Sequence, residues 1–449
     1  RRSSDAQIPQ TAMSTLLTTA TVAAYVKEHL RGLVDLPIDL DAELAALEIA
    51  DGNLNYAWHV HEVGSPSRAV FVKQAPGFIK CLGPEFELSA QRAVFESAVL
   101  REFHRLAPSH SPRHLLLDEV RGALMKGGDP RCLAGTRSLT PPPPPPQARC
   151  VLVLQYLHGY VLLRTALQAG GCAARVAGDL GRFMGETHRQ THAALLPEAQ
   201  RAALEARFRN ADMCAITAEY VFTKPLDEAD PTNRCSAALA PHAAAVRRQA
   251  GVREEVLALR QLFETSRQCL VHGDLHTGSV MVAPLSPDAP AVVIDAEFAF
   301  YGPAAFDVGV LMANLFFAAL RHAPRPDDLG APQAWLLGMV SECWHAYVAV
   351  LARPDAAGGA PGALGEAGAV RQLLREAAGF CGCELMRRVM GAAHVDDLET
   401  IAEPHTKLAA ERGALALGAA LLTGRAALED VGMLLELFCR HTPPRAGAS

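Results

Sequence analysis

The 449-residue chain is expected to lack a hydrophobic stretch able to cross a bilayer: near its C-terminus the longest uncharged apolar run, Gly413 to Gly424, is closed by Arg412 and Arg425 and falls short of the roughly 20 residues a spanning helix needs. No membrane partner is expected. It also lacks a basic surplus, since 42 lysines and arginines meet 48 acidic residues for a net charge of -6, which argues against nucleic acid as a partner. Its 11 cysteines are odd in number and scattered, with no CxxC pair and no zinc-type spacing, so reduced thiols and a cytoplasmic setting are expected. No methionine opens the chain; residues 1–13 read as a flexible terminus left by processing or truncation. What is there is a half-hydrophobic, one-fifth-charged composition, that of a globular protein with two lobes or domains.

Residues 14–40 read as a short helical entry. Alternation between Leu47 and Gln74 predicts strands around a turn at Gly64 to Ser67. Ser89 to Leu106 returns to helical spacing, with Phe95, Val99 and Phe103 on one stripe. Residues 121–150 carry the run Pro141 to Pro146, expected as a polyproline II excursion in a loop insertion. Binding of an SH3-type partner to that run is the alternative. Val151 to Leu157 resumes a strand, and nearly everything after Leu163 reads helical. The expected fold class is α+β, with a small β-rich N-terminal lobe over 14–157 and a large, mainly helical C-terminal lobe over 158–445.

The exception to the helical reading is LVHGDLHTGSVMVAPLSPDAPAVVIDAEFAFYG, residues 270–302. Val280 to Val282 and Val292 to Ile294 predict a hairpin, with Asp274 just before its first strand and Asp295 and Glu297 just after its second. A hairpin returns the chain to its start, so the three carboxylates should line one rim. Phosphoryl transfer needs such a rim, with one carboxylate for the proton of an attacking hydroxyl and others to hold magnesium against phosphates.

Upstream, Asp51-Gly52-Asn53-Leu54-Asn55-Tyr56 can form a tight turn whose amides face an anion, although a hairpin turn without a ligand reads equally from it. Lys73 ends the strand VFVK and can reach α and β phosphates, against the alternative of a solvated edge lysine. Glu96, beside Phe95, can hold that lysine or stand as a helix-surface acid. The order decides between these readings. A glycine turn, strand lysine, helix glutamate, hinge-like strand, HGD loop and acidic turn follow one another as in protein-kinase-like phosphotransferases. Yet Ser279 stands where a kinase has its metal-binding Asn, and Asp295-Ala296-Glu297 replaces DFG, supplying a second hard carboxylate for magnesium. No phosphorylatable activation loop is evident, so the pattern is that of a small-molecule kinase.

DGNLNY, VKQ, HGDLHTGS, DAEFAFYGPAAFDVG and GFCGCELMRRVMGAAHVDDLETI resemble the signatures of the 5-methylthioribose kinase family, within the aminoglycoside-phosphotransferase and choline-kinase-like group. The resemblance implies transfer of the ATP γ-phosphoryl to the 1-hydroxyl of methylthioribose in methionine salvage, by a homodimer. Asp274 would be base and sugar contact, Asp295 and Glu297 the magnesium ligands, and Lys73 and Asn55 would bind ATP, with Gln155, Tyr156 and Leu157 as the adenine hinge. Ala296 lies between the two metal ligands at the nucleotide. Arg387 and Arg388 are about 100° apart on a helix, so they are expected to diverge, one toward phosphoryl or sugar and the other bracing the loop. An aminoglycoside, choline or homoserine acceptor, or an inactive nucleotide-binding scaffold, are the competing readings.

Three departures from the family pattern stand out. Cys235 follows Asn233-Arg234 in VFTKPLDEADPTNRCSAAL, a loop near the substrate that often bears an aromatic residue. DAE replaces the commoner DPE. The 121–150 insertion has no counterpart. His188 and His192, four apart, are better read as members of a core helix than as a metal pair, and His276 as a structural hydrogen-bonding residue. Phe298, Phe300, Tyr301 and Phe306 read as core around the acidic turn.

Overall fold

The computed structural model describes residues 16–49, 54–80, 83–120, 149–322, 331–354 and 362–442. The Asp51-Gly52-Asn53 turn and the Pro141 to Pro146 run lie outside the described residues. The chain forms two compact units, one of residues 1–101 and 112–158, the other of residues 102–111 and 159–449.

In the first unit, strands β1 (Leu44–Glu48), β2 (Tyr56–Glu62), β3 (Ser65–Ala75), β6 (His114–Val120) and β7 (Arg149–Gln155) form an antiparallel sheet of order β1-β2-β3-β7-β6, with β4 (Phe78–Ile79) and β5 (Gly83–Glu87) paired separately. Arg149 and Cys150, assigned to the loop insertion from sequence, already belong to β7. Side chains alternate faces along a strand, and here the two faces have different roles. Trp58, Val60, Val70, Val72, Val151 and Val153 meet Val22, Tyr25 and Val26 of α1 (Val22–His29) in one apolar cluster. On the opposite face Ala75 and Cys150 pack with Ala90 and Ala93 at the start of α2 (Gln91–Leu106). Lys73, opposite Leu152, lies on that second face.

The second unit holds α3 (Leu163–Gln168), α4 (Arg175–Thr191), α5 (Glu198–Arg207), α6 (Ala211–Thr217), α7 (Ala240–Arg248), α8 (Val252–Thr265), α9 (Ala304–Arg321), α10 (Ala331–Leu351), α11 (Ala367–Met390), α12 (Asp396–Glu399), α13 (Pro404–Gly424) and α14 (Val431–His441). Helix α9 is apolar around nearly its whole circumference and is accordingly buried along its length. α10 lies close along α4, where a Cβ at Gly185 would stand 2.6 Å from that of Val350 and one at Gly181 2.7 Å from that of Ala346. By length and composition Ala304–Arg321 and Pro332–Leu351 are both apolar enough to cross a membrane. On length and composition alone this corrects the expectation of no stretch long and apolar enough to span a bilayer. The window in α9 is 94% buried inside the protein, as expected of a core helix.

Five short strands position the chemistry. β10 (Val280–Val282) pairs with β11 (Val292–Val293), as Val280 with Val293 and Met281 with Val292. Ile294, expected as the last residue of that hairpin, lies beyond the ladder but still donates its N–H to Ser279 O at 2.9 Å. β9 (Cys269–Val271) pairs with β12 (Phe300–Gly302) outside the hairpin, and β8 (Val161–Leu162) flanks β10 on its free side. One antiparallel pair is thus nested inside another. Loop 272–279, between β9 and β10, and turn 294–299, between β11 and β12, must therefore meet.

Candidate active site

The nesting needs a glycine. Gly273 has φ +79, and a Cβ there would overlap the Phe298 carbonyl oxygen. The HGD loop can therefore lie against the acidic turn only with Gly at this position. His272, fully buried, reaches across with Nε2 to Ile294 O at 2.9 Å, tying the loop to the residue before Asp295. The loop backbone is held from beneath by Asp307 in α9. Its Oδ2 accepts from the His272 N–H at 2.6 Å and its Oδ1 from the Gly273 N–H at 2.9 Å. His188 Nε2 lies 3.3 Å from Asp307 Oδ2, and its Nδ1 3.0 Å from the Tyr347 hydroxyl. His188 is thus a buried hydrogen-bonding residue in the core helix. Burial lowers the affinity of His192 for a proton to a pKa of about 4, with His188 adding to the effect.

The remaining loop residues are bonded locally. Ser279 donates its hydroxyl to Asp274 O at 3.0 Å and so closes the loop. His276 Nδ1 accepts from the Gly278 N–H at 2.9 Å, leaving Nε2 3.4 Å from Asp274 Oδ2. On the acidic turn Asp295 occupies the left-handed region (φ 65, ψ 49), a conformation costing roughly 1–2 kcal/mol for a residue with a side chain and concentrated at functional sites. Asn210 braces the turn, donating to Glu297 O at 2.8 Å and Ala299 O at 2.9 Å. Ala296 is buried between an exposed Asp295 and a buried Glu297. From Glu297 the chain passes through β12 and Pro303 directly into α9. Phe300, Tyr301 and Phe306 are buried there; Phe300 and Phe306 each lie 4.9 Å from Phe263, whereas Phe298 is only partly buried.

The arginines depart from expectation. Arg387 Nη2 and Arg388 Nη2 both approach Asp274 Oδ1, at 3.6 and 3.8 Å. They were expected to diverge because their Cα–Cβ vectors do. Glu384, fully buried one turn earlier, overrides this: its carboxylate accepts from Arg387 Nε and, at 2.8 Å, from Arg388 Nε, turning both forks the same way. Burial alone would raise the Asp274 carboxyl, but His276, Arg388 and Arg387 outweigh it and hold the group well below the usual carboxylate range. Glu384 is likewise held ionised against its burial by Arg387 and Arg388, while Glu384 and Asp274 keep Arg388 more firmly protonated than usual. The Arg234–Cys235 loop sits at the end of the same helix, with Arg234 Nη2 donating to Ala392 O at 2.7 Å and Cys235 exposed.

In the first unit Lys73 is no edge lysine. It lies on a central strand and is buried, with Nζ 2.8 Å from Glu96 Oε2 and 3.0 Å from Oε1. Asn55 is buried and accepts from Arg92 Nε at 3.1 Å; Arg92 also donates to the carbonyls of Leu54, Pro76, Leu88 and Ser89 and so organises the segment around Asn55. Gln155 ends β7, donating its N–H to Arg113 O at 2.9 Å. Tyr156 stacks on His59 with centroids 3.9 Å apart, and Leu157 follows half-buried.

Among the described residues no group of three His, Cys, Asp or Glu side chains is gathered to hold a metal. Asp295 and Glu297 share one turn, while Asp274 faces the arginines. Two hard carboxylates suit magnesium, which takes one or two such ligands and fills its octahedron with phosphate oxygens and water. The sequence reading missed Glu384, Asp307, Arg92 and Asn210. The first two carried a signal, each being an acid in an otherwise apolar helical stretch.

The model of the family "Phosphotransferase enzyme family" matches residues 45–340. Methylthioribose kinase 1 of Oryza sativa subsp. japonica is 30% identical over 436 residues, covering 93% of each chain. Methylthioribose kinase of Pectobacterium carotovorum is 32% identical over 399 residues, covering 87% of this chain and 91% of its own. A glucosamine kinase solved with glucosamine, ADP and inorganic phosphate is 19% identical with a TM-score of 0.47, covering 92% of this chain and 88% of its own.

Proposed function

The chain belongs to the phosphotransferase enzyme family, with methylthioribose kinases as full-length relatives, and from this we propose that it transfers the γ-phosphoryl of ATP to the 1-hydroxyl of 5-methylthioribose. It is a small-molecule kinase of α+β, protein-kinase-like fold, and methylthioribose is its acceptor. The observation that carries the choice of acceptor is the pair of guanidiniums aimed at Asp274 Oδ1. Cationic acceptors such as choline or an aminoglycoside need an acidic face, and two fixed positive charges beside the reacting carboxylate oppose them. A neutral sugar that becomes an anionic phosphate is favoured by the same charges.

In this reading Asp274 receives the sugar hydroxyl and orients its oxygen in line with the γ-phosphorus. Its depressed basicity makes it a poor base toward a free alcohol. It therefore takes the proton late, once oxygen–phosphorus bonding has acidified the hydroxyl. Arg387 and Arg388 bind the transferring phosphoryl or the sugar, and the permanence of their charge suits that task. Asp295 and Glu297 would hold magnesium, which would neutralise phosphate charge when bound. Lys73, fixed by Glu96, binds ATP phosphates, Asn55 supports the nucleotide turn, and Gln155, Tyr156 and Leu157 contact adenine. The product places the enzyme in methionine salvage, and its free thiols suit a cytoplasmic setting. Family membership further implies a homodimer, which sedimentation tests.

ATP consumption with methylthioribose, ribose, choline, kanamycin and homoserine tests the reading. Turnover should be fastest with methylthioribose. Turnover confined to another acceptor refutes the substrate, and none with any acceptor refutes the kinase itself. Asp274→Asn should cut kcat by about a thousandfold or more while leaving ATP binding intact.

A further inference from the structure

We infer that Arg164 is a third arginine of the acceptor site, donating to a sugar hydroxyl oxygen remote from the one phosphorylated; the inference rests on the sugar-kinase reading above. Pairing of β8 with β10 carries the chain past the catalytic loop, where the Arg164 N–H donates to Thr277 O at 3.0 Å. The side chain then turns back over the loop. A Cβ at Gly278 would overlap Arg164 Nη2 and stand 2.7 Å from His276 Cε1. The glycine thus leaves the space that the guanidinium fills. Since His276 Nε2 is 3.4 Å from Asp274 Oδ2, carboxylate, imidazole and guanidinium stand in a row along one loop. A sugar with one hydroxyl on Asp274 would then direct another along the loop toward Arg164.

The donor is held and available. Arg164 Nη1 is anchored on Asp396 Oδ2 at 2.8 Å, Nη2 donates to no described residue, and the side chain keeps 21% of its surface exposed. Around it the polar groups are incompletely satisfied. Arg164 Nε, Thr277 Oγ1 and both Asp397 carboxylate oxygens are buried without a hydrogen-bond partner, and Thr277 and Asp397 are fully buried. Folded proteins keep few such groups, because each is costly to leave unpaired. A bare surface clamp between Arg164 and Asp396 needs neither a glycine beneath the guanidinium nor this concentration of unpaired groups. A hydroxyl-bearing ligand accounts for the fork held over the glycine, because hydroxyls accept from a guanidinium.

Full-length Arg164→Gln and Arg164→Lys decide the matter, with Asp396→Asn as a milder probe that loosens the anchor. Initial rates are measured with methylthioribose and ATP varied independently, and with methylthioribose analogues lacking the 2- or the 3-hydroxyl. The expected result is a KM for methylthioribose raised about tenfold or more, with kcat, KM for ATP and Tm nearly unchanged. The variants should also lose the wild-type preference for methylthioribose over one of the deoxy analogues. Unchanged kinetics, a rise in KM for ATP, or parallel losses in kcat, both KM values and Tm would each overturn the inference, the last by showing that the pair only supports the loop. If wild type rejects methylthioribose, the functional reading fails instead, and the same KM split is then read with the acceptor it does phosphorylate.

Discussion

Gly273→Ala isolates the close approach on which the active loop depends. Gly273 and Gly251 have nearly the same backbone, φ +79 and +83, so an alanine at either meets the same left-handed strain, roughly 1–2 kcal/mol. Their surroundings differ. At Gly251 the nearest atom to a new Cβ is Thr423 Cγ2 at 3.4 Å, an ordinary contact, whereas at Gly273 the methyl overlaps the Phe298 carbonyl oxygen. That oxygen belongs to the turn bearing Asp295 and Glu297, and an ordinary contact is regained only by moving loop and turn apart by roughly 1 Å. A misplacement of that size costs on the order of a hundredfold in rate. Gly251→Ala should lower Tm by a few degrees and keep kcat/KM. Gly273→Ala should lower Tm at least as much and kcat by about a hundredfold, with acceptor binding by calorimetry less affected. A Gly273→Ala enzyme within threefold of wild-type kcat would refute the view that loop and turn are fixed by this contact.

Glu384→Gln removes the charge that orients both arginines; kcat should fall about a hundredfold or more and thermal stability should drop, as expected when a buried ion pair loses one partner. Retention of kcat would show that the arginines find Asp274 unaided. Asp397→Asn should have a pH-dependent effect. Burial, only partly countered by Arg164 and Arg321, raises this carboxyl from 3.8 to about 6. Its protonated form is therefore the one the fold favours, and its contribution is fully present below the unfolded value and lost as pH rises through about 6. Between pH 4 and pH 8 the stability of the Asn variant relative to wild type should improve by up to about 3 kcal/mol; a constant difference in denaturant unfolding would refute this. Lys73→Met should raise KM for ATP and lower kcat by tenfold or more, with methylthioribose binding unchanged by calorimetry, and Glu96→Gln should reproduce part of the loss.

The parts of the fold legible in the sequence are those with a period or a strong turn. The β10–β11 hairpin follows from two β-branched runs around a Pro/Ser/Asp turn, and the sheet around Lys73 from alternation on β2 and β3. The β9–β12 pair was not legible, because Cys-Leu-Val and Phe-Tyr-Gly are too short to carry a period. So the need for a glycine at 273 appears only once the turn lies against it. Lys73, Glu96, Asp274, Asp295 and Glu297 were chosen from their order along the chain, yet their partners were hidden. Arg387 and Arg388 converge because side chains several bonds long can undo a 100° separation at the backbone, and the acid that makes them do so, Glu384, is marked in sequence only as an acid in an otherwise apolar helical stretch. Asp307 is concealed in the same way among the apolar residues of α9.

Under the proposed function, proton acceptance and choice of acceptor are written in different places on this chain. The carboxylates and their nested strands occupy residues 269–302, whereas Glu384, Arg387 and Arg388 arrive on a helix folded later in the sequence. Because one buried carboxylate orients both guanidiniums, the two arginines form a single heritable unit: under the proposed function, changes that add reach or bulk around α11 would retune which alcohol is welcomed while leaving the carboxylates of residues 269–302 unedited. Divergence of acceptors on a shared catalytic segment is thus built into the division of labour between a loop and a helix.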